Sequence, residues 1–544
     1  MAFERRLLLG ATVFLCGVVV LVLEILGSRL LAPYFGSTLY VWSSLISVTL
    51  LALSLGYGWG GRLADRGDVP RPGGQRPSEH RTAGRDDALA TINGLLVISG
   101  WLIVLMPLVR RAALPAIATL GLRAGAFVAA LLLLGAPLAL LGCVAPLAAK
   151  AAVSDLGSLG ARVGGLYALS TAGSLAGALA AGFFLIPFLG VTRILLLSAL
   201  LLFLPALVFW LRVPAGTERR VWRALAAAGV IVCLAGMARR TVYPVLRAGC
   251  PWLLLEKADS GYGEVKVIRY RASLVLLLDG ALQTGLELSS RTPLFPYAAG
   301  MAELLQAAHP SARRVLLVGF GGGVLATTLA NKGLRVDSVE IDPAVADAAF
   351  RYFVPLSLAK ASSPEARLPV AIEDGRVFLG RTAPASYDAV ILDAYAGEAP
   401  PAHLFTAEAY RLVARALKPD GIGLANLIGV PTGPHSGLVR SVGLTMRVCF
   451  PWVEAYAMDD AEVSNVLFVF GARRRQIRRL ARMRLHPQVA AQVEGLLSRK
   501  VDLEAGGGFV LTDEYNPIES LNIFSRERMR RYIVDLVPAW LLLQ

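Results

Sequence analysis

The chain has 544 residues, too many for one ordinary domain, and 55% of them are hydrophobic. Its mean hydropathy of +0.59 is higher than soluble domains usually reach, which argues against a wholly soluble protein and predicts a membrane part. The long apolar runs lie mostly in the first 240 or so residues, and the remainder has the pattern of a soluble α/β domain.

The net charge of +15 comes partly from loops and partly from one arginine cluster in the C-terminal half. A basic cluster can bind nucleic acid or anionic lipid, but no nucleic-acid-binding signature accompanies this one, so we expect a solvated helix face near a membrane and no nucleic-acid partner. The five His are scattered and the five Cys lack metal-ligand spacing, so no metal site is expected. The cluster consists of Arg473, Arg474, Arg475, Arg478, Arg479, Arg482 and Arg484.

Seven runs are long and apolar enough to cross a membrane. The first is not a cleavable signal peptide, because it lacks a small-residue cleavage site and further spans follow. Within the fifth run, Gly173 and Gly177 form a GxxxG pattern that favours close helix packing. The predicted spans are 7–26, 40–60, 88–109, 124–149, 163–188, 194–213 and 221–237.

Loop charges predict the orientation of this membrane domain, residues 1–237. The loop 61–87 carries six Arg and should be cytoplasmic, and the basic loop 214–223 falls on the same side. Strict alternation over seven spans would place the C-terminal half outside the cell. This conflicts with the chemistry expected below for that half, whose cosubstrate is made in the cytosol. Either one of the seven runs does not span or a further span is missing from the count, and the suspects are the stretch 111–123 and the short last run. We expect a multi-pass protein of the cell membrane, in contact with lipid, with a cytoplasmic C-terminal domain.

A connector, 238–255, is predicted to precede a small β segment, 256–290. Within that segment, GEVKVIRY and SLVLLLDG read as two antiparallel strands joined by a turn at Arg271 and Ala272. The rest, 291–544, alternates strands and helices, which predicts a doubly wound, Rossmann-like parallel sheet of the methyltransferase type.

The carboxyl ends of the four predicted strands carry residues that suit a ligand, namely Gly319, Glu340, Asp374 and Asp393 in turn. Ligands of such sheets bind at this edge. The apolar strand YDAVIL stops at Asp393 and a Pro-rich loop follows, so this carboxylate is either a turn cap or a catalytic base.

The glycines and the first two acids together indicate an adenosine-containing ligand. Gly319, Gly321, Gly322 and Gly323 permit a tight turn and close ligand approach. Glu340 follows 21 residues after Gly319, where an acid accepts hydrogen bonds from ribose hydroxyls. Asp374, before Gly375, could accept one from an adenine amino group. The turn is not G-x-G-x-x-G and no P-loop lysine is present, which argues against NAD and against ATP hydrolysis.

These residues resemble the spermidine synthase (polyamine aminopropyltransferase) family, in the membrane-fused branch with an N-terminal multi-span domain. The matching segments are the Gly319–Gly323 turn, EID at 340–342, DG at 374–375, Asp393 with Pro400 and the LF at 404–405, and upstream SGYGEVKV and LLLDGALQT. In the membrane half, LEILGSRLLAPYFG and GLYALSTAGSLAGALAAGFFLIPFLG also match, so the resemblance covers nearly the whole chain.

The resemblance implies a mechanism and its residues. Decarboxylated S-adenosylmethionine would be the cosubstrate, with no permanently bound cofactor, and an amine such as putrescine would attack the aminopropyl carbon next to sulfur. Asp393 would take the amine proton. A homodimer formed through the β segment is a family expectation. The implied cosubstrate-binding residues are Gly319, Gly321, Gly323, Glu340, Asp374, Gly375 and Pro400, and the implied amine-binding residues are Tyr262, Gln283 and Tyr297.

The departures from the family pattern fall on the polyamine half of the site. An Asp that grips the aminopropyl ammonium is replaced by Gly322, the second Asp of the D-x-x-D loop by Ala396, and two polar positions by Ala298 and Gly263. A dication would bind poorly in a pocket without carboxylates. The acids that are candidates to replace those lost are Glu398, Asp513 and Glu514.

Three functions therefore stay open at this point. The first is aminopropyl transfer, favoured by Asp393 and the Pro400 loop. The second is a methyl or other group transfer from S-adenosylmethionine itself, favoured by the loss of the ammonium-gripping Asp. The third is a membrane sensor or transport protein with a degenerate nucleoside-binding domain, favoured by Gly322 and Ala396.

Overall fold

The structure is a computed structural model, and it describes residues 2–36, 38–66, 77–152, 159–212, 217–239, 244–246, 249–358, 368–395, 397–477, 480, 487–504 and 506–543. The chain divides into two compact units. One is Met1–Thr241 with Leu543–Gln544, and the other is Val242–Leu542.

Almost all described residues of the first unit are helical. Seven of its helical segments are long and apolar enough to cross a membrane: Leu7–Phe35, Leu39–Asp65, Asp87–Leu120, Leu122–Ala152, Gly160–Leu185, Val191–Arg212 and Arg219–Ala238. The helices are α1 Ala2–Phe35, α2 Leu39–Arg66, α3 Pro77–Ile117, α4 Leu122–Ala130, α5 Ala136–Gly142, α6 Val144–Ala152, α7 Leu159–Ala180, α8 Ile186–Leu189, α9 Val191–Arg212 and α10 Thr217–Ala238.

Each of these segments falls on one predicted span. The stretch 111–123 adds no separate span, because α3 continues through it to Ile117 and a 3-10 turn, Ala118–Leu120, follows. The loop residues 67–76 and 213–216, on which part of the orientation argument depends, lie outside the described residues.

The GxxxG pattern brings α7 against α1. A Cβ atom on Gly173 would lie 2.1 Å from the carbonyl oxygen of Phe14, and one on Gly177 would lie 2.4 Å from that of Val18. Only glycine permits such a close approach of two helix backbones, so the predicted tight packing is confirmed.

The second unit begins with an antiparallel six-stranded sheet in the order β1-β2-β3-β4-β5-β6. The predicted turn is confirmed, since Arg271 has φ 53° and separates β3 from β4. The strands are β1 Val245–Leu246, β2 Trp252–Asp259, β3 Glu264–Tyr270, β4 Ser273–Leu278, β5 Ala281–Glu287 and β6 Thr292–Pro293.

This sheet starts earlier than predicted. The segment 238–255 was expected to be a connector, but β1 and the first half of its partner β2 lie inside it. In β2 the buried residues Trp252 and Leu254 alternate with partly exposed ones, and the strand pairs with β3. The uninterrupted apolar run from Trp252 to Leu255 hides that alternation in the sequence.

A seven-stranded sheet follows in the order β12-β13-β11-β10-β7-β8-β9. The predicted parallel part is confirmed, because β11, β10, β7, β8 and β9 pair in parallel. The sheet also has an antiparallel edge of β12 and β13 that was not predicted. The strands are β7 Arg314–Val318, β8 Arg335–Glu340, β9 Val370–Ile372, β10 Tyr387–Leu392, β11 Leu417–Gly429, β12 Trp452–Ala457 and β13 Ser464–Gly471.

Helices cover both faces of this sheet. Alternate residues of β7 point to opposite faces: Val315 and Leu317 belong to one apolar core, and Leu316 and Val318 belong to the other. The helices are α11 Pro296–Ala308, α12 Val324–Asn331, α13 Pro343–Ala348, α14 Val354–Ser357, α15 Gly375–Arg381, α16 Ala407–Ala416, α17 Gly437–Arg447, α18 Pro487–Glu494, α19 Ile518–Leu521, α20 Ile523–Leu536 and α21 Ala539–Leu543.

The two sheets pack against each other through a third apolar core. Val267 of β3 and Leu276 of β4 contact the region of Val345 and Phe353 beside the large sheet. The Ser260 hydroxyl also donates a 2.6 Å hydrogen bond to Asp342, which caps α13. As a result, β5 lies beside the Gly-rich turn after β7, where the Gly322 N–H bonds to Thr284.

The arginine cluster is only partly described. Arg473 and Arg474 are exposed and form ion pairs with Asp420 and Glu454 at 3.3 and 3.6 Å, as a solvated surface does. The cluster members outside the described residues are Arg478, Arg479, Arg482 and Arg484.

Candidate active site

The Gly-rich turn links β7 to α12 at the point where the strand order changes direction, with β8 and β9 on one side of β7 and β10 and β11 on the other. Gly319 has φ +96°, and a Cβ atom there would lie 2.3 Å from the carbonyl oxygen of Asp393. Glycine is required at this position both by the backbone angle and by the close approach of β10. Gly323, at φ +72°, is the N-cap residue of α12. The turn thus lies at the topological switch point, where ligands of such sheets bind.

Glu340 at the end of β8 holds the shape of this turn. One carboxylate oxygen accepts hydrogen bonds from the N–H groups of Phe320 and Gly321 at 3.2 and 3.0 Å. The other accepts from Ile341 and Asp342 at 2.9 and 3.1 Å. Burial raises the pKa of Glu340 above its ordinary value, although these N–H groups oppose the shift.

Asp374 at the end of β9 caps α15. One of its oxygens accepts hydrogen bonds from Arg376 and Val377 at 2.9 and 3.0 Å, and the other lies 2.9 Å from Nε2 of His403. Burial raises the pKa of Asp374, but the bonds from Val377 and His403 outweigh it, and the pKa is lower than ordinary. Gly375 packs against Val318, where a Cβ would lie 2.4 Å from a methyl group. The second oxygen keeps one acceptor position for a ligand.

Asp393 follows β10 and has a different environment from the other two acids. Its Oδ1 accepts a 2.9 Å hydrogen bond from Nδ2 of Asn426. The Tyr297 hydroxyl lines the same pocket and donates a 3.4 Å hydrogen bond to the Gln283 carbonyl. Burial raises the pKa of Asp393 from 3.8 to about 7, while the polar groups of Asn426 and Tyr297 act in the opposite direction. A carboxyl group with a pKa near the working pH is suited to accept a proton and release it again.

Asn426 is in turn held by its neighbours. It is buried on β11, and its Oδ1 accepts a 3.0 Å hydrogen bond from Nδ2 of Asn465 on β13. Its backbone carbonyl accepts a 3.2 Å bond from the Tyr395 hydroxyl, which itself accepts one of 2.6 Å from the Ile428 N–H. The orientation of the Asn426 amide is therefore set, and so is that of the Asp393 carboxylate.

A pocket lies beside Asp393. Its described lining joins the Gly-rich turn, β5 of the small sheet and the start of α11. Five predicted site residues, Gln283, Tyr297, Gly319, Gly321 and Asp393, are among those that line it. The other lining residues are Thr284, Gly285, Pro293, Phe295, Ala298, Phe320, Val324, Leu325 and Tyr395.

The remaining predicted residues lie apart from this pocket wall. Glu340, Asp374, Gly375 and Gly323 occupy the neighbouring strand ends and turn described above. Tyr262 is 55% exposed in the loop before β3, and Pro400 is buried in the loop after Asp393. Their predicted roles stay predictions.

Thr284 fills the space beside Gly322, the position where the family pattern has an acid. The Gly322 N–H donates a 3.0 Å hydrogen bond to the Thr284 hydroxyl. A Cβ on Gly322 would lie 2.6 Å from Cγ2 and 2.9 Å from Cβ of Thr284. An Asp therefore does not fit at 322 while Thr284 keeps its place.

The three acids considered as replacements do not line the pocket. Glu398 is buried in an ion pair with Arg530, and Asp513 forms a two-point ion pair with Arg376. Glu514 is exposed. Ala396, the other changed position, lies outside the described residues.

Sequence reasoning missed Thr284, Asn426 and Tyr395. Thr284 is the last residue of the LLLDGALQT segment and directly follows Gln283, so its position in that segment is the signal that could have indicated it. Asn426 is the polar residue in the apolar run IGLANLIG, which is a signal that could have been found. Its pairing with Asp393 follows from the register of β10 and β11, in which Leu392 pairs with Ala425 one residue earlier.

Comparison with known proteins places this site in a family. The model of the spermine/spermidine synthase domain matches residues 294–456. Polyamine aminopropyltransferase from Moorella thermoacetica is 31% identical over 221 residues, which cover 40% of this chain and 74% of that protein. The chain belongs to the spermidine synthase family.

Other members of the spermidine synthase family and its relatives match a shorter region. Spermidine synthase 1 from Pisum sativum is 32% identical over 172 residues, covering 31% of this chain and 49% of that protein. Putrescine N-methyltransferase 3 from Nicotiana tabacum is 31% identical over 172 residues, covering 31% of this chain and 43% of that protein. The chain thus spans about half the length of these two relatives.

A solved structure also matches part of the chain at lower identity. The probable spermidine synthase from Corynebacterium glutamicum has 20% identity and a TM-score of 0.35, covering 52% of this chain and 94% of that one. The segment matched by the spermidine synthase domain contains the Gly-rich turn, Glu340, Asp374, Asp393 and Asn426, but not Thr284.

Proposed function

We propose that the second unit transfers an aminopropyl group from decarboxylated S-adenosylmethionine to an amine. The observation that carries this proposal is Asp393, whose pKa is raised by burial to about 7 and whose carboxylate lines a pocket beside the Gly-rich turn. Membership of the spermidine synthase family supports the reaction class.

Asp393 acts as the general base. The attacking amine is protonated at neutral pH and must lose a proton before its lone pair can form a bond. Its nitrogen attacks the aminopropyl carbon next to the sulfonium. The carbon–sulfur bond breaks, its electron pair returns to sulfur, and neutral methylthioadenosine leaves. Asp393 takes the proton, and the bond from Asn426 keeps the carboxylate directed.

The adenosine half of the cosubstrate binds at the neighbouring strand ends. Asp374 accepts from the adenine amino group with the oxygen that His403 leaves partly unoccupied. The ribose hydroxyls donate to the Glu340 carboxylate. Because that carboxylate already accepts four backbone N–H hydrogen bonds, a hydroxyl takes the place of one of them. Gly319, Gly321 and Gly323 keep the turn close enough for the sulfur to approach Asp393. Gln283 and Tyr297 line the amine side, with Tyr262 at its margin, and Pro400 belongs to the cosubstrate side.

We further propose that the protein is a multi-pass protein of the cell membrane with a cytoplasmic C-terminal domain. The seven long apolar helices support the membrane location, and the six Arg of the loop 61–87 support a cytoplasmic position for that loop. A cytoplasmic C-terminal domain then requires that one of the seven helices does not cross the membrane, and the last one, Arg219–Ala238, is our candidate. Lipid is then a partner of the first unit, and a homodimer through the six-stranded sheet is the assembly that the family suggests. Carbonate washing of membranes tests the anchoring: the protein stays in the pellet if the helices span.

Methyl transfer from S-adenosylmethionine is the second candidate. The observation that favours it is Gly322, because Thr284 takes the space of an acid that would grip an aminopropyl ammonium. Putrescine N-methyltransferases are among the relatives at 31% identity. The retained Asp393 serves either reaction, since both remove a proton from an attacking amine.

Calorimetric binding separates the candidates. The purified full chain is titrated with methylthioadenosine and decarboxylated S-adenosylmethionine, and separately with S-adenosylmethionine and S-adenosylhomocysteine. Tighter binding of the first pair supports aminopropyl transfer. Tighter binding of the second pair supports methyl transfer, and binding of none of the four contradicts both.

A further inference from the structure

Two segments from different sheets contribute to the pocket beside Asp393. The strand β5 of the six-stranded sheet contributes Gln283 and Thr284, and the end of β10 in the large sheet is followed by Asp393 and Tyr395. The Gln283 amide donates a 2.7 Å hydrogen bond to the Gly397 carbonyl, which connects the two segments directly. The shape of the pocket therefore depends on what holds these two segments together.

The side chain of Arg530 in α20 joins the same two segments a short distance from the pocket lining. Its Nη1 donates a 3.1 Å hydrogen bond to the carbonyl of Asp279, in the turn that directly precedes β5. Its Nη2 forms an ion pair with the carboxylate of Glu398, which follows Tyr395 in the chain. The Arg530 and Glu398 side chains are 9% and 4% exposed, so solvent screens this contact very little. One guanidinium thus links the turn before β5 to the segment that follows Asp393.

The backbone at each end of this bridge is held by further hydrogen bonds. Asp279 is buried, and its carboxylate accepts a 2.9 Å bond from a backbone N–H of β3. The Glu398 carbonyl accepts a 3.3 Å bond from Nδ2 of Asn522, and the Ala402 carbonyl accepts one of 2.8 Å from Nδ2 of Asn516. Arg530 therefore connects two parts of the backbone that are themselves fixed.

Among the long basic side chains, arginine is the one suited to such a bridge. Its guanidinium carries donors on separate nitrogens in a rigid planar fork, whereas the lysine ammonium is a single point charge on a flexible stem. A lysine at position 530 can still neutralise Glu398, but it cannot keep the same bond to the Asp279 carbonyl at the same time. The bridging role of Arg530 and its neutralising role can therefore be separated by experiment.

We propose that Arg530 is a positioning residue for aminopropyl transfer, because it holds the two sides of the pocket together before the amine binds. The inference rests on the proposed function, and it adds a residue that lies outside the segment 294–456 matched by the spermidine synthase domain. Without the bridge, part of the binding free energy goes into assembling the pocket, and the apparent affinity falls with the fraction of protein in the competent arrangement. Once the amine is bound, Asp393 has the same task, so the effect falls on KM and not on kcat.

The variant Arg530→Lys tests this split in the purified full chain. The readout is methylthioadenosine release from saturating decarboxylated S-adenosylmethionine, with the amine of a monoamine and diamine panel that the wild type uses best. We expect KM for that amine to rise about tenfold, the effect of one lost hydrogen bond from a charged group, while kcat stays within about twofold of wild type. A KM within about threefold of wild type overturns the inference. So does a fall in kcat at unchanged KM, which is the result of losing folded protein.

Arg528→Lys is the matched control. Arg528 lies on the same helix, is half-exposed and pairs with Glu462 at 3.1 Å, away from the bridge. Both kinetic constants of R528K should equal those of the wild type. A rise in KM as large as that of R530K would show a general effect of the helix and overturn the role of Arg530.

Hydrogen exchange of the ligand-free protein separates this inference from the proposed function, because it requires no turnover. The amides of the segment 397–405 should exchange at least about tenfold faster in R530K than in wild type and R528K. Equal exchange overturns the bridge and leaves the proposed function intact, whereas no methylthioadenosine release from the wild type with any amine contradicts the proposed function. Should R530K fail to fold, the wild type decides: added methylthioadenosine should slow exchange of this segment less than about fivefold. A larger slowing would show that the ligand, and not Arg530, brings the two sides together.

Discussion

Replacing Asp393 by Asn should abolish turnover while the nucleoside still binds. A positioned general base contributes about 10²- to 10⁴-fold in rate. We therefore expect kcat to fall by about that factor, which corresponds to a rise of about 3 to 5 kcal/mol in activation free energy. Asn cannot take the amine proton, but it retains the shape of Asp and can accept the bond from Asn426. Methylthioadenosine binding should change less than threefold, because Asp393 lies beside the adenosine half of the site rather than under it.

The same substitution should stabilise the fold at high pH. The folded pKa of Asp393 is raised to about 7 from 3.8, so its contribution to stability is full below pH 4 and is lost as pH rises through 7. That gap of about three pH units corresponds to about 4 kcal/mol at 1.36 kcal/mol per unit. D393N should therefore melt at a higher temperature than wild type at pH 8, with little difference at pH 4.

The assay measures methylthioadenosine release and its pH profile with the purified full chain. In the wild type, kcat/KM should fall about tenfold per unit below pH 7, as Asp393 becomes protonated. Asp388→Asn is the matched control, because Asp388 lies on the same strand but at its other end, where it accepts from Arg313 and Arg314. Turnover above one tenth of wild type in D393N, or a parallel loss of nucleoside binding, refutes the role of Asp393.

Three further predictions follow from the same contacts. Asn426→Ala removes a hydrogen bond that lowers the pKa of the candidate base, so the acid limb of the kcat/KM profile should move to higher pH; an unmoved limb contradicts the positioning role. Gly322→Ala should lower the free energy of unfolding by about 1 to 3 kcal/mol because the new methyl group clashes with Thr284. Adding Thr284→Ala should recover part of the lost melting temperature. If the double variant instead loses the sum of what the two single variants lose, the clash is contradicted. Glu398→Gln should cost about 3 kcal/mol in thermal or chemical unfolding because it leaves the Arg530 charge buried without its partner; a variant as stable as wild type would show that the pair is not needed.

The meeting of the acidic strand ends could be predicted because parallel strands end at one edge of a sheet. Glu340, Asp374 and Asp393 each lie at or just after the end of a predicted strand, and the strands are separated by helical patterns. Those local patterns are enough to bring the strand ends together. They do not indicate what each carboxylate binds, which is why the four N–H groups on Glu340 and the contact of His403 with Asp374 were not foreseen.

The amine side could not be predicted to the same extent because it depends on contacts between distant segments. Thr284 reaches Gly322 only because the six-stranded sheet packs on the large one. Asn426 reaches Asp393 only through the register of β11, a strand whose first residues, LKPDG, read as a turn. The neutralisation of Glu398 depends on Arg530 in α20, more than a hundred residues later in the chain.

The central claim is tested most directly by identifying the nucleoside product. The full chain in detergent is incubated with a mixture of amines and, in separate reactions, with decarboxylated S-adenosylmethionine or S-adenosylmethionine, and the products are measured by mass spectrometry. We predict methylthioadenosine together with an aminopropylated amine in the first reaction, and their absence with D393N. S-adenosylhomocysteine in the second reaction with no methylthioadenosine in the first would contradict aminopropyl transfer.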